Sequence, residues 1–281
     1  MMNSLKNFLV TAVLVLTSTV SFSQARIQVL HNSADLAVEM VDVWLDQTLL
    51  LDNFRFRKAS TFMDAPAGVE ITIVIADADS QNPDDPLWSD TYTLIDGETY
   101  ILVAEGIISD SGYDPATPFD IAVYPNARET AGGIVITDML SHHGSTDAPT
   151  IDIYETSVGL GQLVDNLSYS GFEGYDELPT KNYIFEVRDE SGSSLISAYL
   201  ASFLDFDLKG QAVTLLASGF MNPENNSNGP GFGLWVAPGT GGSFIELPVY
   251  YPIARVQVVH NSADAAAAVR NSPGVRLAGR F

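Results

Sequence analysis

Four histidines mark one recurring place in the chain. His31, His143 and His260 each end a strand-like run, and His142 precedes His143. Each of the three is followed four residues on by an aspartate, giving His31/Asp35, His143/Asp147 and His260/Asp264. This spacing offers two chemistries: an imidazole hydrogen-bonded to a carboxylate, or half of a metal site. Two ligands per copy fall short of a zinc site, and the chain has no cysteine to complete one. The expectation is structural: these six are repeat positions at which the imidazole bonds a neighbouring loop and holds the strand end.

The densest carboxylate cluster runs from Asp77 through Asp79 and Asn82 to Asp84 and Asp85. Hard oxygen ligands at this density bind Ca²⁺ in other loops. Here no glycine stands at an EF-hand position and no bidentate Glu closes the run, so a solvated loop is expected, with calcium at Asp77, Asp79, Asp84 and Asp85 as the alternative. The segments Asp110–Asp114 and Asn222–Asn228 occupy the same place in the two copies and differ in sequence. Variable loops at one end of a rigid scaffold are where binding is usually built; plain solvent loops are the alternative. No GxSxG, HExxH, P-loop or GxGxxG pattern is present. The expectation is a non-enzyme without a cofactor.

The elements that position these residues repeat. ARIQVLHNSAD at Ala25–Asp35 returns as ARVQVVHNSAD at Ala254–Asp264. Between them the chain aligns with itself at an offset of 113, which matches Asp52-Asn53 with Asp165-Asn166, Phe62 with Tyr175, Gly106 with Gly219 and Pro125 with Pro238. Near the start of each copy the offset slips to 112 at His31/His143 and to 110 at Val41-Asp42-Val43/Ile151-Asp152-Ile153. Each copy reads as strands: alternation at Arg26–Leu30 and Val41–Leu45, a β-branched run at Val69–Ile75, and a hairpin signal with Asp96-Gly97 between two strand patterns. The expected fold is all-β: two tandem Ig-like β-sandwich modules, residues 24–133 and 134–250, and an incomplete third at 251–281.

The run ARxxVxHxSxD, a D-x-[VIW] strand and the Pro66-Ala67-Gly68 turn resemble the domain of unknown function DUF4397. Asp147-Ala148-Pro149-Thr150-Ile151-Asp152-Ile153 lies closer still to that family's pattern. The first copy departs there with Leu36-Ala37-Val38, and the second departs at Pro179-Thr180-Lys181. The resemblance implies exported, often tandem β-sandwich modules and implies no activity.

Residues 1–23 read as a secretory signal peptide. Lys6 precedes the apolar run Phe8–Leu16, and Ser21 and Ser23 place small residues before the cut. No span across a membrane is expected after cleavage. A net charge of −22 disfavours nucleic acid and anionic lipid. The tail Arg270–Phe281 carries three arginines and no acid, a break in composition expected from a reading-frame slip or a truncated gene. The chain is therefore expected to be secreted, or held on the cell surface of a Gram-negative bacterium. There it would be a binding or structural protein for a surface protein or glycan. An accessory to a polysaccharide-active enzyme, or a calcium-dependent adhesin, is the alternative.

Overall fold

A computed structural model describes residues 23–251. The signal-peptide expectation, the third repeat with His260 and Asp264, and the basic tail fall outside the described residues, Ser23 and Tyr251 apart. Within them the chain is essentially all-β, and its only helices are two single 3-10 turns.

The first copy contributes β1 (Gln24–His31), β2 (Met40–Leu45), β3 (Thr48–Arg55), β4 (Lys58–Ala59), β5 (Met63–Pro66), β6 (Glu70–Asp77), β7 (Trp88–Thr93), β8 (Thr99–Glu105) and β9 (Asp120–Pro125). The second contributes β10 (Ile136–His143), β11 (Ile151–Glu155), β12 (Gly161–Leu167), β13 (Phe172–Pro179), β14 (Asn182–Asp189), β15 (Leu195–Ser202), β16 (Ala212–Ser218), β17 (Gly233–Pro238), β18 (Gly242–Ser243) and β19 (Ile245–Glu246). They form four sheets. Two are four-stranded and lie outside, in the orders β3-β2-β6-β7 and β12-β11-β14-β15. Two lie inside, in the orders β18-β4-β1-β8-β9, with β5 also on β1, and β13-β10-β16-β17-β19. In each inner sheet the copy's first strand runs parallel to a later one, β1 beside β8 and β10 beside β16.

Each copy keeps its own core between an outer and an inner sheet. Ile27, Val43, Phe54, Ile73, Ile75 and Leu102 anchor the first, and Met139, Ile153, Phe185, Tyr199, Leu215 and Val236 the second. A third cluster lies between the inner sheets: Leu30, Ile101, Val103 and Ala122 against Leu140, Leu216 and Ala237. The four sheets thus stack as layers. This explains why Tyr100–Ala104 is apolar without alternation: Tyr100, Leu102 and Ala104 face the first core, whereas Ile101 and Val103 face the second copy.

The same burial corrects the hairpin expected at Asp96-Gly97. β7 pairs only with β6 at an outer edge, while β8 pairs with β1 and β9. The turn carries the chain from one sheet to the other. A strand apolar on both faces loses less water-exposed surface at the sheet edge beside half-exposed Trp88–Thr93 than at the centre of an inner layer.

The repeated polar residues serve as backbone partners. Asn53 and Asn166 sit at φ 51° and 54°, where the strand register shifts. The buried Asp42 and Asp152 accept their N–H groups at 2.9 and 2.7 Å. Gly106 and Gly219, at φ 84° and 88°, pass a neighbouring strand so closely that an added Cβ would lie 2.3 Å from the Pro118 carbonyl oxygen and 2.2 Å from that of Gly231.

Candidate functional site

Among the described residues the His–Asp positions do not form pairs. The buried His31 ring uses Nε2 to bond the Val38 carbonyl at 2.7 Å, and His143 bonds that of Pro149 at 2.9 Å. Nδ1 of His143 accepts the Ser145 N–H at 3.4 Å, so its Nε2 is the donor. Burial pushes His31 down to about 4 and lowers His143 as well. Both rings are neutral struts across the bend that follows the strand.

The aspartates act one step further on. Asp35 accepts from the N–H groups of Ala37 (3.0 Å), Ile108 (2.9 Å) and Ser109 (2.7 Å) and from Ser109 Oγ (2.8 Å). Asp147 accepts from the N–H groups of Met221 and Asn222, both at 2.7 Å, and from Asn226 Nδ2 at 3.1 Å. Burial alone would raise the Asp35 carboxyl, but the bonds from Ala37 and Ser109 hold it below the usual carboxylate range. Ser33 and Ser145 complete the clamp by donating to the carbonyls of Gly106 and Gly219. Each His-x-Ser-x-Asp run therefore fastens the variable loop of its own copy to the scaffold.

The two clamped loops meet. Tyr113 lies 5.7 Å from Phe220 between ring centroids. Asp114 donates its N–H to Asn226 Oδ1 at 3.0 Å, and Ser227 Oγ donates to the Gly112 carbonyl at 2.9 Å. Asp110, Ser111, Glu224, Asn225 and Asn228 remain exposed around this junction. This shared loop surface at one end of the layers is the candidate site.

Asp77, Asp79, Asp84 and Asp85 lie elsewhere, exposed at the end of β6 and on the link from it to β7. Among the described residues no three His, Asp or Glu side chains are placed to hold a metal ion. The chain has no cysteine, and among the described residues no catalytic histidine cluster is formed. A surface hollow of about 520 Å³ beside Gln24, Pro66 and Gly68 holds one titratable side chain, Asp64, and so lacks converging acid and base groups. No helix among the described residues is long and apolar enough to cross a membrane.

The sequence reading overlooked the groups between the copies. Glu105 Oε2 and His142 Nε2 lie 2.8 Å apart, with both side chains nearly inaccessible. Asn32, also buried, stands against Gly144. The Arg57 guanidinium covers Trp235 at 3.9 Å and donates to Ser218 Oγ at 3.1 Å. Their one sequence signal is that they differ between the copies: Asn32 matches Gly144, Glu105 matches Ser218, and Arg57 matches Ser170.

Residues 11–131 match the family described as "Domain of unknown function (DUF4397)", so such a domain is present there. No curated protein sequence matches the chain. Two solved structures are similar at a distance, titled "Alpha-glucan binding by a streptococcal virulence factor" and "Alpha-glucan recognition by family 41 carbohydrate-binding modules from streptococcal virulence factors". Each has 11% identity and a TM-score of 0.23, and the match covers 68% of this chain and 93% of the other. The sequence reading expected a Gram-negative setting, whereas both of these structures are of streptococcal, hence Gram-positive, proteins.

Proposed function

We propose that this chain is an exported, non-catalytic binding or structural protein that engages a glycan or another surface component through its paired loops. The observation that carries the reading is the double clamp. Asp35 and Asp147 fix two loops of unlike sequence, and the loops then lean on each other through Tyr113 and Phe220. A surface so fixed presents polar groups without an ordering cost at the moment of binding. The leader-like residues 1–23 and the acidic balance support export. We read each copy as an Ig-like variant, with boundaries at 24–133 and 134–250, because each has two sheets over one core.

The test is retention of the purified chain on a panel of insoluble polysaccharides, α-glucan included, compared with an Asp110→Ala/Asn225→Ala variant. Retention that the variant loses at unchanged melting temperature supports the reading. Retention untouched by the variant moves the site elsewhere, and turnover of any polysaccharide overturns it. Repeating the panel with calcium and with a chelator separates the adhesin alternative.

A further inference from the structure

The inner sheets meet through matched positions, so that the copies are related to one another as the halves of a two-fold dimer would be. Asn32 touches Gly144, its own counterpart. Arg57 reaches Ser218 from the first copy, and His142 reaches Glu105, the position matched to Ser218, from the second. Tyr124 packs on Phe172 at 5.2 Å on one flank. On the other, Ala237 and Ala59, their counterparts, share the cluster between the sheets.

The contacts at these equivalent places are nevertheless unlike. A Cβ on Gly144 would stand 2.0 Å from Asn32 Nδ2 and 3.0 Å from Glu105 Oε2. Asn32 is 0% exposed and cannot swing out. Glu105 has one polar side-chain partner across the seam, His142, whose counterpart in the first copy is Leu30. If two first copies met by this face, two asparagines would compete for the space of one, each crowding Glu105 as well, and Glu105 would exchange His142 for a leucine while the other copy's Arg57, which here reaches Ser218, came to face it. If two second copies met, paired glycines would leave a gap, and His142 would face Ser218 in place of a carboxylate.

We propose that this face is a selective docking surface: a copy bearing Asn32 and Glu105 accepts a copy bearing Gly144 and His142 and rejects its own kind. Repeats of this type then come in two complementary kinds. By sequence alone the third opening, with Val259 and Asn261 where the first copy has Leu30 and Asn32, is of the first kind.

The experiment starts from the folded full chain with a protease site inserted between Gly132 and Gly133. Isotope-labelled and unlabelled chains are cut, diluted, mixed and reconcentrated, and native mass spectrometry counts the pairs. Unlike pairs exceeding like pairs by about tenfold or more, a difference of roughly 1.4 kcal/mol, is the expected result. Like and unlike pairs in comparable amounts, or halves that stay single at concentrations near 100 micromolar, would overturn the proposal. In a chain carrying Asn32→Gly, Glu105→Ser and His142→Leu, each residue replaced by its counterpart, the preference should fall to within about threefold. A folded triple variant with the preference intact also overturns it, and if that variant does not fold, the count on the native halves decides alone.

Discussion

The two copies agree wherever the chain holds itself and disagree wherever it holds its twin. His31 and His143 brace the same bend, Asp35 and Asp147 clamp the same loop, and Asp42 and Asp152 cap the same register shift. Across the seam, Glu105 stands where the second copy has Ser218, and His142 where the first has Leu30. The frame tolerates one solution because its partners are backbone groups, whose places every copy shares. The seam brings two faces together, and at Asn32 a second asparagine in the place of Gly144 would have no room.

The largest break in this comparison should come from the close approaches. Gly106→Ala and Gly219→Ala each combine a left-handed backbone with a carbonyl oxygen inside contact distance. Each should cost about 3 kcal/mol or more by denaturant titration. Equal losses would affirm that the copies share one frame. Next come the clamps. Asp35→Ala and Asp147→Ala each strand at least two backbone donors, and each should cost about 3 kcal/mol. Hydrogen exchange should rise at residues 107–109 in the first variant and at 220–222 in the second, and exchange spreading to both loops would show that the loops stand only as a pair.

The seam itself responds asymmetrically. Gly144→Ala should cost about 2 kcal/mol by overpacking against Asn32 and should recover when Asn32→Gly is added. Absence of rescue would show that the strain lies elsewhere. The pH dependence sharpens the frame side. Because His31 titrates near 4 in the fold and near 6.5 when unfolded, the unfolded chain takes up its proton first as acidity rises. Its contribution is whole above about 6.5 and is lost progressively down to about 4, up to roughly 3 kcal/mol. His143 acts in the same direction. A His31→Gln chain should therefore lose less stability between pH 7 and 4.5 than the parent. The smallest effect belongs to the exposed acids: Asp79→Ala/Asp84→Ala should shift stability by under about 0.5 kcal/mol.

What could be read in the sequence follows the same division. Repetition exposed the all-β frame, the His and Asp positions and the matched Asp52-Asn53 and Asp165-Asn166, since these recur at offsets of 112 and 113. The hairpin at Asp96-Gly97 misled because a local turn signal says nothing about which sheet the next strand joins; burial of Ile101 and Val103 against the second copy decided that. The seam escaped because aligning a chain with itself rewards sameness, and Asn32, Arg57, Glu105 and His142 matter through their differences.

The placement of β1 has a mechanical consequence. It lies between β5 and β8, with six consecutive positions, Arg26 to His31, in register with β8. Tension drawn lengthwise through Ser23 meets ladders on both flanks that must slide together instead of peeling one rung at a time. The parallel neighbour therefore places β1 under shear when it is pulled along its length.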